Sequence, residues 1–223
     1  MDETQALILE TLKEKSSTKQ LIYRTTLDVF EDFKRSVKEV EQILEPQIHQ
    51  YDKNVEVKYH ETGDFEVSLK FSGDTLVFMM HTNVFNFPAD HFIYKTEYVK
   101  EDPLRAYCGV IQVYNFLSDS FKYNRLHDMG YLIARIFVNK DRHFFIEGKR
   151  QLGFLYNDFD KAELNQVYIK AIVEQAMLYC MDFDLYVPPF DAIKEISIQQ
   201  KMEESYSSGM PTAKRLGFQF LKE

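Results

Sequence analysis

The stretch VEVKYHETGDFEVSLKFSGDTLVFMMHTNVF, residues 55–85, determines the fold class of this chain. In its first two segments apolar and polar residues alternate, which is the pattern of strands that bury one face and expose the other. The tripeptides TGD at 62–64 and SGD at 72–74 provide turns between the segments. The third segment is apolar on both faces, which indicates a more deeply buried strand. The stretch therefore predicts a three-stranded antiparallel meander.

A long helical pattern precedes this meander. Apolar residues recur at steps of three and four from Ser17 to Leu44, and Pro46 marks the end. Ser17 and Gln20 have the spacing of a capping box, so we expect a helix to begin there, after a separate short helix over 4–15. One face of the helix carries an apolar stripe that comprises Tyr23, Leu27, Phe30, Phe33, Val37, Val40 and Leu44.

The remaining elements are predicted from the same two periodicities. They are an edge strand or extended loop at 91–99, a β-hairpin at 130–149, a short strand at 150–156, a helix at 158–180 that begins at Asp158 or Asp160, and a final helix at 192–205.

Residues 103–118 combine the residue types of a strand with the period of a helix. Polar residues recur there at every third position, as on one narrow helix face: Gly109, Gln112, Asn115 and Ser118. In a strand these side chains would alternate between the two faces of the sheet. Asp102 and Pro103 also supply an N-cap and a first-turn proline. We therefore predict a helix.

Together these elements predict an α+β fold, in which a long N-terminal helix and C-terminal helices pack on an antiparallel meander sheet. Residues 1–46 form the N-terminal helical segment, residues 47–208 the α+β body that shares one domain with it, and residues 209–223 a C-terminal tail. The last apolar residues of the tail are expected to dock on the body: Leu216, Phe218 and Phe220.

The composition favours some classes of partner over others. The chain has 223 residues and a net charge of −8, which repels phosphate backbones, so we predict no nucleic-acid partner. We interpret the basic residues of the hairpin, such as Lys140 and Arg142, as a charged, solvated edge. The N-terminus is acidic and no apolar run reaches the length of a membrane span, so no membrane partner is expected. Cys108 and Cys180 lie among apolar neighbours, as in a reducing compartment, which predicts a cytoplasmic location.

Glu147 and Lys149 form an E-x-K pattern on the predicted hairpin, as in one class of metal-dependent nucleases. Such a nuclease needs a second carboxylate beside the first, because a divalent cation is held by at least two acids. A tight turn at 140–141 places Ala134, and no acid, opposite Glu147. With a turn of three residues, Arg135 becomes a diagonal neighbour of Glu147. We therefore favour a buried structural ion pair between Arg135 and Glu147, and we predict no metal site.

The loop that follows the meander contains candidate ligand-binding residues. These are His81, Asn83, Asn86 and His91, which cluster where a buried strand ends and where polar groups can line a pocket. The more common role of such residues is to satisfy the backbone of their own loop. No pair of histidines has the spacing of a metal site on one element, and no glycine-rich phosphate loop is present, so no cofactor is expected.

The predicted element order is helix, three strands, helix, two strands and helix. This order resembles the secretion-chaperone-like α+β fold over about residues 17–182, and the resemblance carries no diagnostic motif. It implies a protein of the kind seen in small stand-alone bacterial members of that fold, which are typically acidic, cytoplasmic and dimeric and lack catalytic residues. It implies no site residues for this chain.

We therefore expect a non-enzymatic interaction protein, chaperone- or adaptor-like, that binds another polypeptide and forms a homodimer. One alternative is a metal-dependent nuclease or other hydrolase that uses Glu147 and Lys149. The other is a protein that binds a small ligand near His81. The apolar stripe between Ser17 and Leu44 is the predicted dimer seam, because charges of both signs flank it as at the edges of a coiled coil. The competing partner of that stripe is the chain's own sheet.

Overall fold

The computed structural model describes residues 2–149, 151–154, 158–199 and 201–202. Over these residues the chain forms an α+β fold with one antiparallel sheet, whose six strands lie side by side in the order in which they occur in the sequence. The strands are β1 (Val57–Glu61), β2 (Glu66–Phe71), β3 (Asp74–Met80), β4 (Gly109–Leu117), β5 (Tyr131–Val138) and β6 (Phe144–Gly148). The predicted fold class is confirmed.

The α-helices of the described chain differ greatly in length. They are α1 (Glu3–Thr11), α2 (Ser17–Ile48), α3 (Glu97–Glu101), α4 (Ser118–Lys122), α5 (Gln151–Phe154), α6 (Gln166–Met181) and α7 (Phe190–Ile193). A π-helical turn over Leu12–Ser16 joins α1 to α2, so that one helix of 46 residues precedes the sheet. α2 begins at Ser17 as predicted, but the predicted capping box is absent, because the Ser17 hydroxyl donates to the carbonyl oxygen of Leu12 at 3.1 Å within the continuous helix.

The apolar stripe of α2 packs on the protein's own sheet. Phe30, Phe33 and Val37 are fully buried, and the ring centroid of Phe33 lies 5.7 Å from that of Phe78 in β3. α6 lies beside α2, and both helices contribute to the same core. The prediction that this stripe forms a dimer seam is therefore wrong, since its central side chains already contact the sheet of the same chain.

Residues 103–118 do not form the predicted helix. Pro103–Ala106 forms one 3-10 turn, in which the Asp102 side chain accepts a hydrogen bond from the amide of Leu104 at 2.9 Å. The predicted cap at Asp102 is therefore present, but the helical structure that it begins ends after one turn. The chain then enters β4, which pairs with β3 and β5. The element order behind the resemblance to secretion chaperones is wrong at this point, because a strand replaces the expected middle helix.

The segment between β3 and β4 covers part of the second face of the sheet. It contains 3-10 turns at Phe92–Lys95 and Pro103–Ala106 and the short helix α3, so the predicted edge strand or extended loop at 91–99 is wrong. With Phe159 and residues of β4, β5 and β6 it forms a second, smaller core that includes Phe87, Ile93, Tyr98, Val99, Ala106, Cys108, Val110, Phe137 and Phe145.

The C-terminal part is less helical than predicted. α5 replaces the short strand expected at 150–156. α6 begins at Gln166 rather than at Asp158 or Asp160, because Asn165 caps it by accepting hydrogen bonds from two backbone amides at 3.0 and 3.1 Å. Residues 194–197 are not helical, so the final helix predicted over 192–205 is interrupted. The predicted docking of the tail lies outside the described residues, as it concerns Leu216, Phe218 and Phe220.

Candidate functional site

The sheet has one face that helices cover and another that is partly open. α2 and α6 bury the first face. The segment between β3 and β4 buries the second face only around Val110, Phe137 and Phe145. Most of the remaining side chains of the second face are exposed or half-buried, and we call this surface the open face. It carries Glu66, Ser68, Lys70, Met79, Gln112, Tyr114, Phe116, Leu132, Arg135 and Glu147, with the more buried Thr75 and Val77 between them.

One row of side chains crosses the open face. The register of the strands places one residue from each of β2 to β6 side by side, in the order Glu66, Met79, Gln112, Arg135 and Glu147. Directly opposed residues of neighbouring strands point to the same face of a sheet and contact each other. The row spans four inter-strand spacings, or about 19 Å. We call it the transverse row.

A β-bulge keeps an apolar residue next to this row. Val113 pairs with Ala134 and Tyr114 pairs with Leu132, so Ile133 is the extra residue of β5. Ile133 and Ala134 both point into the helix-covered core. Because of the bulge, Leu132 faces the same side as Arg135, and its side chain is 37% exposed.

Arg135 and Glu147 form an ion pair at one end of the transverse row. The pairing predicted from the sequence is present, and the two residues are directly opposed because the connecting turn comprises residues 139–143. Their side chains are 45% and 38% exposed, so the predicted burial of the pair is wrong. The reason is that position 135 faces the open side of the sheet, whereas the helices cover the other side.

His91 approaches this pair from the segment between β3 and β4. Its Nε2 lies 3.8 Å from Oε1 of Glu147, and its ring stacks on that of Phe87 with 4.4 Å between centroids. The Nδ1 of His91 is buried and forms no hydrogen bond with the described residues. The structure thus brings together two residues that the sequence assigned to different hypotheses, Glu147 to catalysis and His91 to ligand binding.

The other candidate ligand residues contact their own loop. The Nδ1 of His81 accepts a hydrogen bond from the amide of Asn83 at 3.0 Å. The side-chain oxygen of Asn86 accepts one from the hydroxyl of Tyr94 at 2.6 Å. These contacts stabilise turns of the loop, whereas His91 reaches the residues of the sheet.

On the sheet, the residue directly opposite Glu147 is Arg135 and not a second carboxylate. Among the described residues, no group of three His, Cys, Asp or Glu side chains is arranged to hold a metal ion. Glu147 is engaged by Arg135 on the same face. Lys149 is exposed and lies beyond the end of β6 at Gly148.

Both cysteines are buried, as the sequence predicts, and neither forms a disulfide with a described residue. Cys108 belongs to the smaller core and Cys180 to the larger one. Burial raises the pKa of the Cys108 thiol, because the charged thiolate is disfavoured away from water. Nucleophilic chemistry at Cys108 is therefore disfavoured, since the thiolate is the reactive form.

Met79 and Gln112 are absent from the residues proposed on sequence grounds, although both lie in the transverse row. Alternation along β3 places Met79 on the face opposite to the buried Phe78. The same rule would place Gln112 on the open face, but only if its segment is assigned to a strand. Because the sequence predicts a helix over 103–118, strand alternation is not applied to Gln112 and its place on the open face is missed.

None of the helices in the described part of the chain combines the length and the apolarity that crossing a membrane requires. In comparisons with known proteins, the sequence matches no family model, no curated protein and no solved structure.

Proposed function

We propose that this protein is a non-enzymatic, chaperone- or adaptor-like interaction protein that binds another polypeptide across the open face of its sheet. The observation that supports this most is the transverse row, which combines an apolar side chain, a neutral amide and charged groups on one continuous surface. A bound polypeptide offers complementary groups, because it presents apolar side chains together with backbone donors and acceptors.

The length of the row favours a polypeptide over a small ligand. About 19 Å corresponds to about six residues of extended chain, at about 3.3 Å per residue. Exposed apolar side chains lie within and beside the row, since Met79, Leu132 and Phe92 are 38%, 37% and 41% exposed. Contiguous apolar surface with a polar surround is typical of protein interaction sites.

The proposal includes a cytoplasmic location and a partner that is neither nucleic acid nor membrane. Two buried cysteines that form no disulfide with a described residue are consistent with a reducing compartment. The net charge of −8 opposes contact with phosphate backbones and with anionic lipid surfaces.

Site-specific photo-cross-linking in native cells tests this proposal. A photoreactive benzophenone amino acid replaces Leu132 on the open face in one variant and Leu178 in a control. Leu178 is 54% exposed on α6, which packs on the opposite face of the sheet. We expect position 132 to cross-link to a defined polypeptide and position 178 to leave that polypeptide unlabelled.

A second substitution assigns the contact to the transverse row. Adding Arg135→Glu to the variant with the photoreactive residue at 132 should abolish the cross-link, because it reverses the charge inside the row. The circular dichroism spectrum should remain that of the wild type, since Arg135 is half exposed. Equal labelling from positions 132 and 178, or labelling that survives Arg135→Glu, would contradict the proposal.

A further inference from the structure

One carboxylate of the open face is left without a cation among the described residues. On this face Lys70 contacts Glu56, and Arg135 contacts Glu147. Glu66, at one end of the transverse row, is half-buried and forms no ion pair with a described residue. A basic group on a bound segment would therefore complete the charge pairing of the row.

Apolar and aromatic side chains lie close to Glu66 on the same face. Met79 is directly opposite Glu66 in the row. In the next positions along the strands, Leu132 is opposite Tyr114, and the ring centroid of Tyr114 lies 6.3 Å from that of Phe116. This surface fits a segment that presents apolar side chains together with basic residues.

The C-terminal tail, residues 209–223, has this composition. Apolar residues occur in it at every second position, as in an extended segment with one apolar face: Leu216, Phe218 and Phe220. Three basic residues flank them, and the tail contains a single acid: Lys214, Arg215 and Lys222 against Glu223. The tail thus has a net charge of +2, whereas the rest of the chain has −10, so charge favours their contact.

Other exposed apolar segments of the chain lack the basic residues. Leu185, Tyr186 and Val187 are exposed, but Asp184 precedes them and Asp191 follows. The apolar residues of α1 lie among four acids and two lysines over residues 2–15. Both segments would bring carboxylates toward the carboxylate of the open face.

We propose that the tail of the same chain occupies the open face when no other polypeptide is bound there. Its apolar residues pack on Met79, Tyr114 and Leu132, and one of its basic residues pairs with Glu66. This inference rests on the proposed function, because it takes the open face as a surface that binds polypeptide. It adds a regulator of that surface, since the tail competes with any external partner.

The length of chain before the tail residues allows this contact. Met202 is the last residue that the structure describes, and 14 residues lead from it to Leu216. Fully extended, they reach about 46 Å. This is about the diameter of a globular domain of 223 residues, whose radius of gyration is about 17 Å. A tether gives an effective concentration on the order of millimolar, which favours the same chain over a second copy.

Photo-cross-linking of the purified full chain tests the contact. With the benzophenone amino acid at position 132, we expect mass spectrometry to find a cross-link to a peptide from residues 209–223. The same amino acid at position 178, on α6, should give no such product. In an equal mixture of unlabelled and isotopically labelled protein, both peptides of each product should carry the same label, because the contact lies within one chain.

Substitutions in the tail test its apolar face. Phe218→Ser/Phe220→Ser should lower the yield of this product by more than about fivefold, because it removes the apolar burial. The control Phe190→Ser/Ile193→Ser removes side chains of α7 that are 79% and 55% exposed and should leave the yield unchanged.

A charge reversal on the open face tests the pairing. Glu66→Lys should also lower the yield, because it places a cation against the basic tail. Glu174→Lys makes the same change at an exposed position of α6 and should leave the yield unchanged. All these variants should keep the circular dichroism of the wild type.

The competition is measured in native cells. There Phe218→Ser/Phe220→Ser should raise the labelling of an external polypeptide from position 132 by at least about twofold, because the competitor is lost. Labelling of the tail without any cellular partner would support the contact and overturn the proposed function alone. A cellular partner without labelling of the tail would overturn this inference alone. Products that join two copies, equal labelling of the tail from positions 132 and 178, or equal effects of a variant and its control would also overturn it.

Discussion

Glu41 in α2 accepts a hydrogen bond from the backbone amide of Tyr59 in β1, with 2.9 Å between oxygen and nitrogen. One turn further along the helix, Glu45 accepts the amide of Val57 in the same way. Four helical residues rise about 6 Å and two strand residues about 6.6 Å, so the two carboxylates match alternate amides. Because β1 is an edge strand, these contacts occupy donors that a strand of another molecule could otherwise pair with.

Replacing Glu41 should weaken the contact between α2 and the edge strand β1. We expect Glu41→Met to lower the free energy of unfolding by about 1–2 kcal/mol, the range for a partly exposed hydrogen bond to a charged acceptor. Glu41→Gln retains an acceptor oxygen and should lower it less. Hydrogen exchange of the Tyr59 amide checks the cause, since it should accelerate in Glu41→Met and change little in Glu41→Gln. Equal exchange rates in wild type and Glu41→Met would show that Glu41 does not protect this edge.

Gly109 lies where α2 closely approaches the start of β4. A Cβ at this position would overlap the side chain of Thr26 and lie 2.9 Å from the Thr26 Cβ. We expect Gly109→Ala to lower the free energy of unfolding by about 1–3 kcal/mol through overpacking. Gly73→Ala is the matched control, because a Cβ at Gly73 meets no atom within 4 Å.

A second substitution checks the cause of this effect. Thr26→Ala removes the hydroxyl and the methyl group that a Cβ at 109 would meet. In urea titrations, the double variant Gly109→Ala/Thr26→Ala should therefore lose less stability than the two single variants add up to. Strict additivity would assign the cost of Gly109→Ala to something other than the contact with α2.

The exposure of Arg135 and Glu147 determines how much their ion pair contributes to the free energy of unfolding. With side chains 45% and 38% exposed, we expect a coupling energy of about 0.2–1 kcal/mol in a double-mutant cycle of Arg135→Leu and Glu147→Gln. Each single variant should remain folded, because water solvates the charge that is left. A coupling above about 3 kcal/mol, which is typical of breaking a buried pair, would show that the open face is desolvated in solution.

Most strands of this sheet could be predicted, because they bury one face and alternate along the sequence. β4 could not be predicted, because its glycine and polar residues lie at multiples of three residues although each makes a different, unrelated contact. Gly109 leaves room for α2, the Asn115 amide donates to a β3 carboxylate at 3.1 Å, and the Ser118 hydroxyl shares a hydrogen bond with that of Thr75 at 2.9 Å. These polar groups have different partners, so the three-residue period does not describe a helix face.

The candidate site was less predictable, because its extent depends on contacts between residues far apart in the sequence. The Arg135–Glu147 pair follows from a local hairpin. The boundary of the open face, in contrast, depends on how the segment after β3 folds back, as when the Tyr98 ring stacks on that of His143 with 4.6 Å between centroids. No periodicity encodes such a contact. The stripe on α2 shows the same limit, since its spacing indicates a buried face without indicating which surface buries it.

Glu56 lies just before β1 and contacts two lysines. Hydrogen bonds from Lys58 and then from Lys70, whose Nζ is 2.7 Å away, lower the pKa of Glu56 to about 2. A glutamate in the unfolded chain titrates near pH 4.3, so the folded state binds fewer protons between about pH 4.3 and about 2. The stabilisation is therefore complete above about pH 4.3 and is lost as the pH falls toward the folded value.

We accordingly expect Glu56→Gln to lower the urea midpoint near pH 7, and the difference from wild type to shrink as the pH falls below about 4. About 0.5 M salt should reduce the same difference near pH 7, because the carboxylate and both lysines are accessible to ions. Lys70→Met offers a second check, because it removes one of the two donors. In the Lys70→Met background, Glu56→Gln should therefore lower the urea midpoint by less than it does in the wild type. A difference that stays constant between about pH 7 and about pH 3 would show that Glu56→Gln acts through a contact other than its ion pairs.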